Sequence, residues 1–154
     1  MKNYLMLMLC IATFFACTKE DESSLIEDLS KNNWKKTSIL ISVDSTTANP
    51  SDTIPNILVT PSDCAKDNEW IFIASNNTFK LDEGATKCNS GDPQIKDEGI
   101  LEELNNGNSL RVDGNGTNEI WEIESRSASS FRVSYFAKNA SNKTVKFRVT
   151  FSKI

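Results

Sequence analysis

Two clusters of acidic side chains offer the first chemistry to consider in this chain. Glu102 lies beside Glu103, and Glu122 is separated from Glu124 by one residue. Paired carboxyl groups are what glycoside hydrolysis requires. Strand alternation, however, places Glu122 and Glu124 on the face opposite Trp121, which is the expected solvent face. We therefore read these carboxylates as surface groups and expect no enzyme activity.

Nucleophilic catalysis finds equally little support. The chain has no histidine, and histidine is the commonest general base and the commonest metal ligand. The many serines therefore lack the usual group that would activate them. We predict no catalytic residue and no bound cofactor.

The stretch from Asp113 to Glu124 has some of the ligand spacing of a calcium-binding loop. Oxygen-bearing side chains alternate from Asp113 to Thr117, and Glu124 falls at the twelfth position. The sixth position, which needs glycine for a sharp turn, is Asn118. Two glycines within residues 113–116 instead indicate a tight β-hairpin turn. We expect a hairpin here and no metal site.

The four cysteines fall into two groups. Cys10 and Cys17 belong to the N-terminal apolar segment, and Cys64 and Cys88 remain as an even pair. An even pair in an exported chain favours a disulfide. The alternative is a two-thiol metal site, but neither cysteine has a histidine or a further cysteine beside it.

The N-terminus has the pattern of a secretion signal. Lys2 precedes an apolar run over residues 5–15, and the small residue Ala16 follows it. The run has the length of a signal-peptide core and is too short to span a bilayer. We predict a signal peptide over 1–16, a flexible tether over 17–24 and one folded domain over 25–154.

The segment Phe14-Phe15-Ala16-Cys17 resembles a bacterial lipobox. The resemblance implies that signal peptidase II cuts before Cys17 and that acyl chains anchor this residue in a membrane. Several acyl chains bury many methylene groups, which makes such an anchor stable. Ordinary signal cleavage near Ala16, which would release an unanchored secreted chain, is the alternative.

The residues after Cys17 are charged, with Lys19 followed by three acidic residues at 20–22. They resemble the export tag of lipoproteins in the Bacteroidota. The resemblance implies a lipid anchor in the outer membrane with the domain exposed at the cell surface. A plain solvated tether on a periplasm-facing lipoprotein is the alternative.

The charge balance excludes one class of partner. The chain carries 17 Lys and Arg against 21 Asp and Glu, for a net charge of −4. A mildly acidic chain has no electrostatic footprint for nucleic acid. The predicted domain is long enough to fold as a single unit around a substantial hydrophobic core.

Hydrophobic alternation predicts an all-β domain. Residues 145–151 alternate apolar and polar without a break, as a half-buried strand requires. Similar patterns at short intervals give eight strands, joined mostly by hairpin-sized turns, at about 34–43, 69–74, 77–82, 98–104, 108–113, 118–125, 130–137 and 143–152. Such an order favours an antiparallel up-and-down barrel, because closure removes exposed edges. A two-sheet β-sandwich is the alternative, although it needs longer crossovers.

Two local features refine this prediction. Ser24 and Glu27 have capping-box spacing, which indicates a short helix before the first strand. Trp34 has the opposite parity to Ile39 and the apolar residues after it, so a bulge near Thr37 is needed if all face inward.

The interior of such a barrel would contain most of the aromatic residues. Eight strands leave an interior that side chains fill or that admits one small ligand. Either these rings form a plain core, or they line a ligand pocket. The candidate pocket residues are Trp34, Trp70, Phe72, Phe79, Trp121, Phe131, Tyr135 and Phe147.

Over about 25–154 the chain resembles the lipocalin-like domain of small secreted lipoproteins in the Bacteroidota. The matching features are Trp34 opening the first strand, Cys64 shortly before Trp70-Ile71-Phe72, the turn and strand at 76–79, and Cys88 after it. The resemblance implies an eight-stranded barrel with Cys64 bridged to Cys88. It supplies no ligand.

The long segment 44–64 is rich in proline, serine, threonine and aspartate. Asp44-Ser45-Thr46 and Asp52-Thr53-Ile54 resemble the three-residue O-glycosylation motif of the Bacteroidota. Ser45 and Thr53 are therefore candidate glycosylation sites.

Together these features predict a non-catalytic surface lipoprotein whose barrel binds a small apolar ligand or a protein partner. The alternative is a structural or accessory subunit of an outer-membrane complex. In that case the barrel would be filled, and the 44–64 loop would make the contact.

Overall fold

A computed structural model describes residues 23–43, 57–138 and 142–154. The predicted lipidation site Cys17 and the predicted glycosylation sites Ser45 and Thr53 lie outside the described residues. In the part of the chain that is described, no helix combines the length and the apolar character needed to cross a bilayer.

The elements are one α-helix, nine strands and one short 3-10 helix within these ranges. The α-helix is α1 (Leu25–Ser30), and the 3-10 helix covers Asp63–Ala65. The strands are β1 (Asn33–Val43), β2 (Ile57–Val59), β3 (Glu69–Ile73), β4 (Thr78–Asp82), β5 (Ile95–Leu104), β6 (Ser109–Gly114), β7 (Asn118–Arg126), β8 (Ser130–Lys138) and β9 (Thr144–Lys153).

The strands form a closed antiparallel barrel. From β3 to β9 each strand pairs with the next along the chain, and β1 pairs with both β3 and β9. The eight predicted strands are confirmed as the barrel, and the β-sandwich is excluded. The short β2 is an additional strand that pairs with β1 at residues 39–41.

Two details of β1 and β5 follow from the register. The predicted bulge is present, because the pairing of β1 with β9 shifts between Lys36 and Ser38. Strand β5 begins at Ile95 rather than at residue 98, because Ile95 pairs with Asp82 beyond a second irregularity.

Helix α1 covers one end of the barrel. Its N-cap is Ser24, whose hydroxyl accepts the amide hydrogen of Glu27, as the sequence predicts. Leu25, Ile26 and Leu29 are buried against the barrel core. We call this end the closed end; the turns after β3, β5 and β7 lie there too.

The opposite end contains the β6–β7 hairpin, the last residues of β1 and β8, and the disulfide loop. The bridge joins Cys64 to Cys88 with their Cα atoms 5.0 Å apart, which confirms the predicted disulfide and excludes the two-thiol metal site. We call this end the mouth.

Strands β5 and β6 approach each other closely at a pair of glycines. Gly99 is opposite Gly114 in the ladder. A Cβ added at Gly99 would lie 2.0 Å from the carbonyl oxygen of Asp113, whereas one added at Gly91 would meet nothing within 4 Å. The close approach therefore depends on the missing side chain at Gly99.

We predict that Gly99→Ala destabilises the barrel by about 1–3 kcal/mol, because the two backbones must separate. Urea unfolding followed by circular dichroism measures the effect. Gly91→Ala is the matched control and should unfold like the wild type. Equal unfolding midpoints for Gly99→Ala and the wild type would contradict the packing described.

Candidate functional site

Aromatic rings fill the closed half of the barrel interior. Phe131 stacks on Phe151 with ring centroids 4.5 Å apart, and Trp70 lies 5.1 Å from Trp121. The ring of Trp34 meets Phe131 edge-on at 4.9 Å. Aromatic pairs at these distances add to the stabilisation that burial provides. This half of the interior is a packed core.

Trp34 also holds helix α1 against the barrel. Its indole nitrogen donates a hydrogen bond of 2.8 Å to the carbonyl oxygen of Leu29. Because this bond is buried, the last turn of the helix gains a partner that water cannot supply there. Trp34 therefore links the closure of this end to the core.

The eight predicted pocket residues fall into two groups. Six of them are buried in the packed half: Trp34, Trp70, Phe72, Phe79, Trp121 and Phe131. Tyr135 and Phe147 lie nearer the mouth, where their rings stack at 5.3 Å. A ligand-lining role for these side chains stays a prediction, and the geometry favours Tyr135 and Phe147 for it.

The walls of the mouth half include several apolar side chains that are half-buried, beside Val145, which is fully buried. The half-buried side chains face inward and pack on the edge of the core, namely Ile39, Leu81, Ala137 and Phe147. Apolar walls combined with a few polar groups are typical of small-molecule sites.

Charged side chains point into the barrel beside these walls. Glu119 shares the inward face of β7 with Trp121, and Asp97 shares that of β5 with Leu101. Lys36 is opposite the buried Phe151 on β9. None of the three was predicted as a site residue. Strand alternation nevertheless puts Glu119 on the same face as Trp121, and Lys36 on the same face as Trp34.

Glu119 accepts hydrogen bonds from two aromatic side chains. The indole nitrogen of Trp121 donates to its carboxylate over 2.6 Å, and the hydroxyl of Tyr135 is a second partner. Burial raises the pKa of Glu119, and these hydrogen bonds together with the charge of Lys36 offset part of that rise. Burial and the nearby Glu119 also raise the pKa of Tyr135, which keeps its hydroxyl protonated.

The ammonium group of Lys36 lies over aromatic rings rather than in water. Its nitrogen is 4.8 Å from the ring centroid of Trp70 and 5.8 Å from that of Phe151. Burial lowers the pKa of Lys36, and the charge of Glu119 opposes this effect. Among the described residues, no carboxylate oxygen lies within 4.0 Å of this nitrogen.

Asp97 is held at the β6–β7 hairpin and is 5% exposed. One carboxylate oxygen accepts the amide hydrogen of Gly116 over 3.1 Å, and the other has no hydrogen-bond partner. A Cβ at Gly114 would lie 2.7 Å from the first oxygen, so this glycine makes room for the carboxylate.

The acidic side chains that the sequence offered as paired carboxylates form ion pairs and hydrogen bonds outside the barrel interior. Glu102 pairs with Arg111, and Glu124 pairs with Arg148 at 2.6 Å, both on the outer surface. Glu103 accepts the amide hydrogen of Ile26.

The segment tested as a calcium loop is a hairpin turn. The amide of Gly114 donates to the carbonyl oxygen of Thr117 over 2.6 Å. Within the described ranges, no group of three or more Cys, Asp or Glu side chains could hold a metal ion.

A cavity lies outside the closed end, between α1 and the β7–β8 turn. Its volume is about 610 Å³, and Leu29, Trp34, Arg126 and Phe131 are among its lining residues. It opens to the surface and does not contain the inward-facing charges.

No family model and no curated protein matches the chain. Three solved structures of bovine odorant-binding protein are similar to the chain at low sequence identity. A deswapped triple mutant has 13% identity and a TM-score of 0.45, covering 82% of this chain and 74% of that one. A complex with its natural ligand has 14% identity, a TM-score of 0.43 and coverage of 82% and 72%. A complex with a selenium-containing odorant has 15% identity, a TM-score of 0.43 and coverage of 88% and 76%. The barrel is established here by its strand pairing.

We predict that Glu119→Gln gains stability relative to the wild type as the pH rises from about 4 to about 8. Because burial raises the pKa of Glu119 above its ordinary 4.5, its ionisation costs more in the folded state. The cost is absent at low pH and is present once the pH exceeds the raised pKa. Glutamine keeps an acceptor for Trp121 and does not ionise.

Urea unfolding at both pH values measures this difference. The control is Glu98→Gln, because Glu98 is exposed on the outer face of β5. A stability difference for Glu119→Gln that stays constant with pH would contradict the buried position of this carboxylate.

Proposed function

We propose that this chain is a surface-anchored lipoprotein whose barrel is a non-catalytic binding module for a small, largely apolar ligand. The observation that carries the proposal is the set of charged side chains facing an apolar mouth half, namely Lys36, Asp97 and Glu119. The packed closed half provides a rigid base below them.

Inward-facing charged side chains would lower the stability of a barrel whose interior served only as a hydrophobic core. Moving a charged group out of water is unfavourable unless it is paired and hydrogen-bonded. Among the described residues, Lys36 contacts aromatic rings and has no carboxylate within salt-bridge distance, and one oxygen of Asp97 has no hydrogen-bond partner. A ligand that supplied the missing partners would offset this cost. Its apolar part would pack on Ile39 and Phe147.

Binding is favoured over catalysis by the state of the carboxylates. Glu119 already accepts two hydrogen bonds, and one oxygen of Asp97 accepts a backbone amide. These bonds fix the side chains as orienting groups. The paired outer carboxylates Glu102 and Glu124 point away from the interior.

We predict that Ala137→Phe blocks ligand binding. Ala137 is half-buried on the inner face of β8, so a ring there would occupy the mouth half. Quenching of tryptophan fluorescence by dodecanol, an uncharged probe with an apolar chain, measures the affinity. We expect saturable quenching of the wild type and at least a tenfold (about 1.4 kcal/mol) loss for the variant.

The matched control is Ala128→Phe, which adds the same ring in the exposed β7–β8 turn at the closed end. It should bind dodecanol like the wild type. Equal binding by Ala137→Phe and the wild type would place the probe outside the mouth half.

The proposed anchor lies close in sequence to helix α1. The hydroxyl of Ser23, within the described residues, donates to Asp28 of this helix. An acyl group on Cys17 would therefore hold the barrel at the membrane through the short predicted tether that precedes α1.

We predict that Cys17→Ser stops acylation and moves the protein from the membrane fraction to the aqueous fraction. The matched control is Cys10→Ser, which changes a thiol of the apolar run and leaves the lipobox cysteine in place. Fractionation with and without palmitate labelling measures both effects. Membrane association of Cys17→Ser equal to the wild type would refute the anchor.

One observation favours the accessory-subunit alternative. The three side chains of β2 are apolar and exposed, with Leu58 at 68%. They lie within the 44–64 segment, which was predicted as the contact surface. In that case Leu58→Ser would release a protein partner, and Ala137→Phe would leave the function of the complex unchanged.

A further inference from the structure

The barrel wall has a seam along one edge of β1. On this edge, β1 pairs with β3 only at Asn33 and Trp34 and with β2 only at residues 39–41. In the described part of the chain, residues 35–38 have no strand partner on that side. The bulge near Thr37 falls within the same stretch.

A cavity of about 250 Å³ opens at this seam, and its lining is basic. The lining side chains carry three ammonium groups and two hydroxyl groups and include no carboxylate; they are Lys35, Lys36, Lys66, Thr37, Thr60 and Pro61. Lys66 is paired with the exposed Asp63, and such surface pairs are weak. The hydroxyl of Thr37 already donates to the carbonyl oxygen of Thr150. The cavity is therefore suited to an anion mainly through its ammonium groups, with the hydroxyl of Thr60 beside them.

Lys36 connects this cavity with the barrel interior. It lines the seam, while its ammonium group lies over the rings of Trp70 and Phe151. Cation–π contacts of this kind leave the hydrogen-bond donors of the ammonium group unused. In the described part of the chain no carboxylate oxygen is close enough to accept them, although the charge of Glu119 acts on Lys36 from a longer distance.

We propose that the seam between β1 and β3 binds the anionic head group, a carboxylate or a phosphate, of an amphiphilic ligand through Lys36. The apolar chain of the ligand then lies inside the barrel, against Ile39 and the mouth walls. This inference rests on the proposed ligand-binding function and adds the chemical class of the ligand. Lys35 and Lys66 contribute positive charge at the outer side of the seam.

The test compares three probes that share one alkyl chain: dodecanoate, dodecyl phosphate and dodecanol. The two anions are kept below their micelle-forming concentrations and dodecanol below its solubility limit, and the change in tryptophan fluorescence reports binding beside Trp70. A charge-assisted hydrogen bond predicts that the wild type binds at least one of the two anions about tenfold or more tighter than dodecanol. Whichever anion binds more tightly identifies the head group.

Lys36→Met should remove the preference for the anions, so that dodecanoate and dodecyl phosphate bind no more tightly to this variant than dodecanol does. The matched control is Lys80→Met, since Lys80 lies on β4 with the opposite parity to the buried Phe79. Circular dichroism checks that each variant is folded. Lys36→Gln is a second variant if the methionine variant does not fold.

The outcomes separate the two proposals. Equal wild-type affinities for dodecanol and both anions would overturn the head-group site and leave ligand binding standing. No binding of any probe would overturn both. An equal loss of anion affinity in Lys80→Met would show that only general charge matters, which overturns the site. If inorganic phosphate at equal concentration displaced dodecyl phosphate, the seam would be a site for a free oxyanion, and the proposal of an amphiphilic ligand would be overturned.

Discussion

Closure of the barrel by β1 is the constraint on which the rest of the structure depends. This strand is bonded to β9 along nearly its whole length, but it shares its other edge between β3 and β2. Strand β1 forms ladder hydrogen bonds with three other strands, and the bulge near Thr37 bends it between its two partners on that edge. The stretch left without a partner forms the seam, so the opening in the wall is a consequence of closure.

The same strand divides the interior into two halves. Before the bulge, Trp34 packs into the ring cluster and binds the helix that covers the closed end. After the bulge, Ile39 faces the apolar walls of the mouth. Lys36 lies at the transition, where its ammonium group is held over the rings of the filled half. A packed half beside partly buried apolar walls that carry inward-facing charges is the arrangement from which we infer ligand binding.

Much of the fold could be predicted from the sequence because its signals are local. Alternation with a period of two located all eight barrel strands, and Ser24 with Glu27 located the helix. The changed parity between Trp34 and Ile39 indicated the bulge. The early start of β5 was missed, because it depends on how Asp82 pairs across an irregular register.

The candidate site was much harder to predict. A charged residue in a strand is normally assigned to the solvent-exposed face, so Lys36, Asp97 and Glu119 were not predicted to point into the barrel. Strand alternation would have placed Lys36 and Glu119 inside. Asp97 shares the face of Leu101 but precedes residue 98, where the strand was predicted to begin, and its burial also depends on the space beside Gly114. The ring cluster was foreseen as a set of residues. Which of its members fill the core is fixed by helix α1 and by the three-dimensional order of the strands, neither of which is encoded in local spacing.

The most direct test of ligand binding in the mouth half is a methyl NMR titration of the purified domain with dodecanol. The account predicts that the methyl signals of Ile39, Leu81 and Ala137 shift with one common dissociation constant. Those of Leu101 and Leu110, which are buried in the packed half, should stay in place. Shifts confined to Leu25 and Leu29, beside the cavity at α1, or no shift at the three mouth residues, would contradict it.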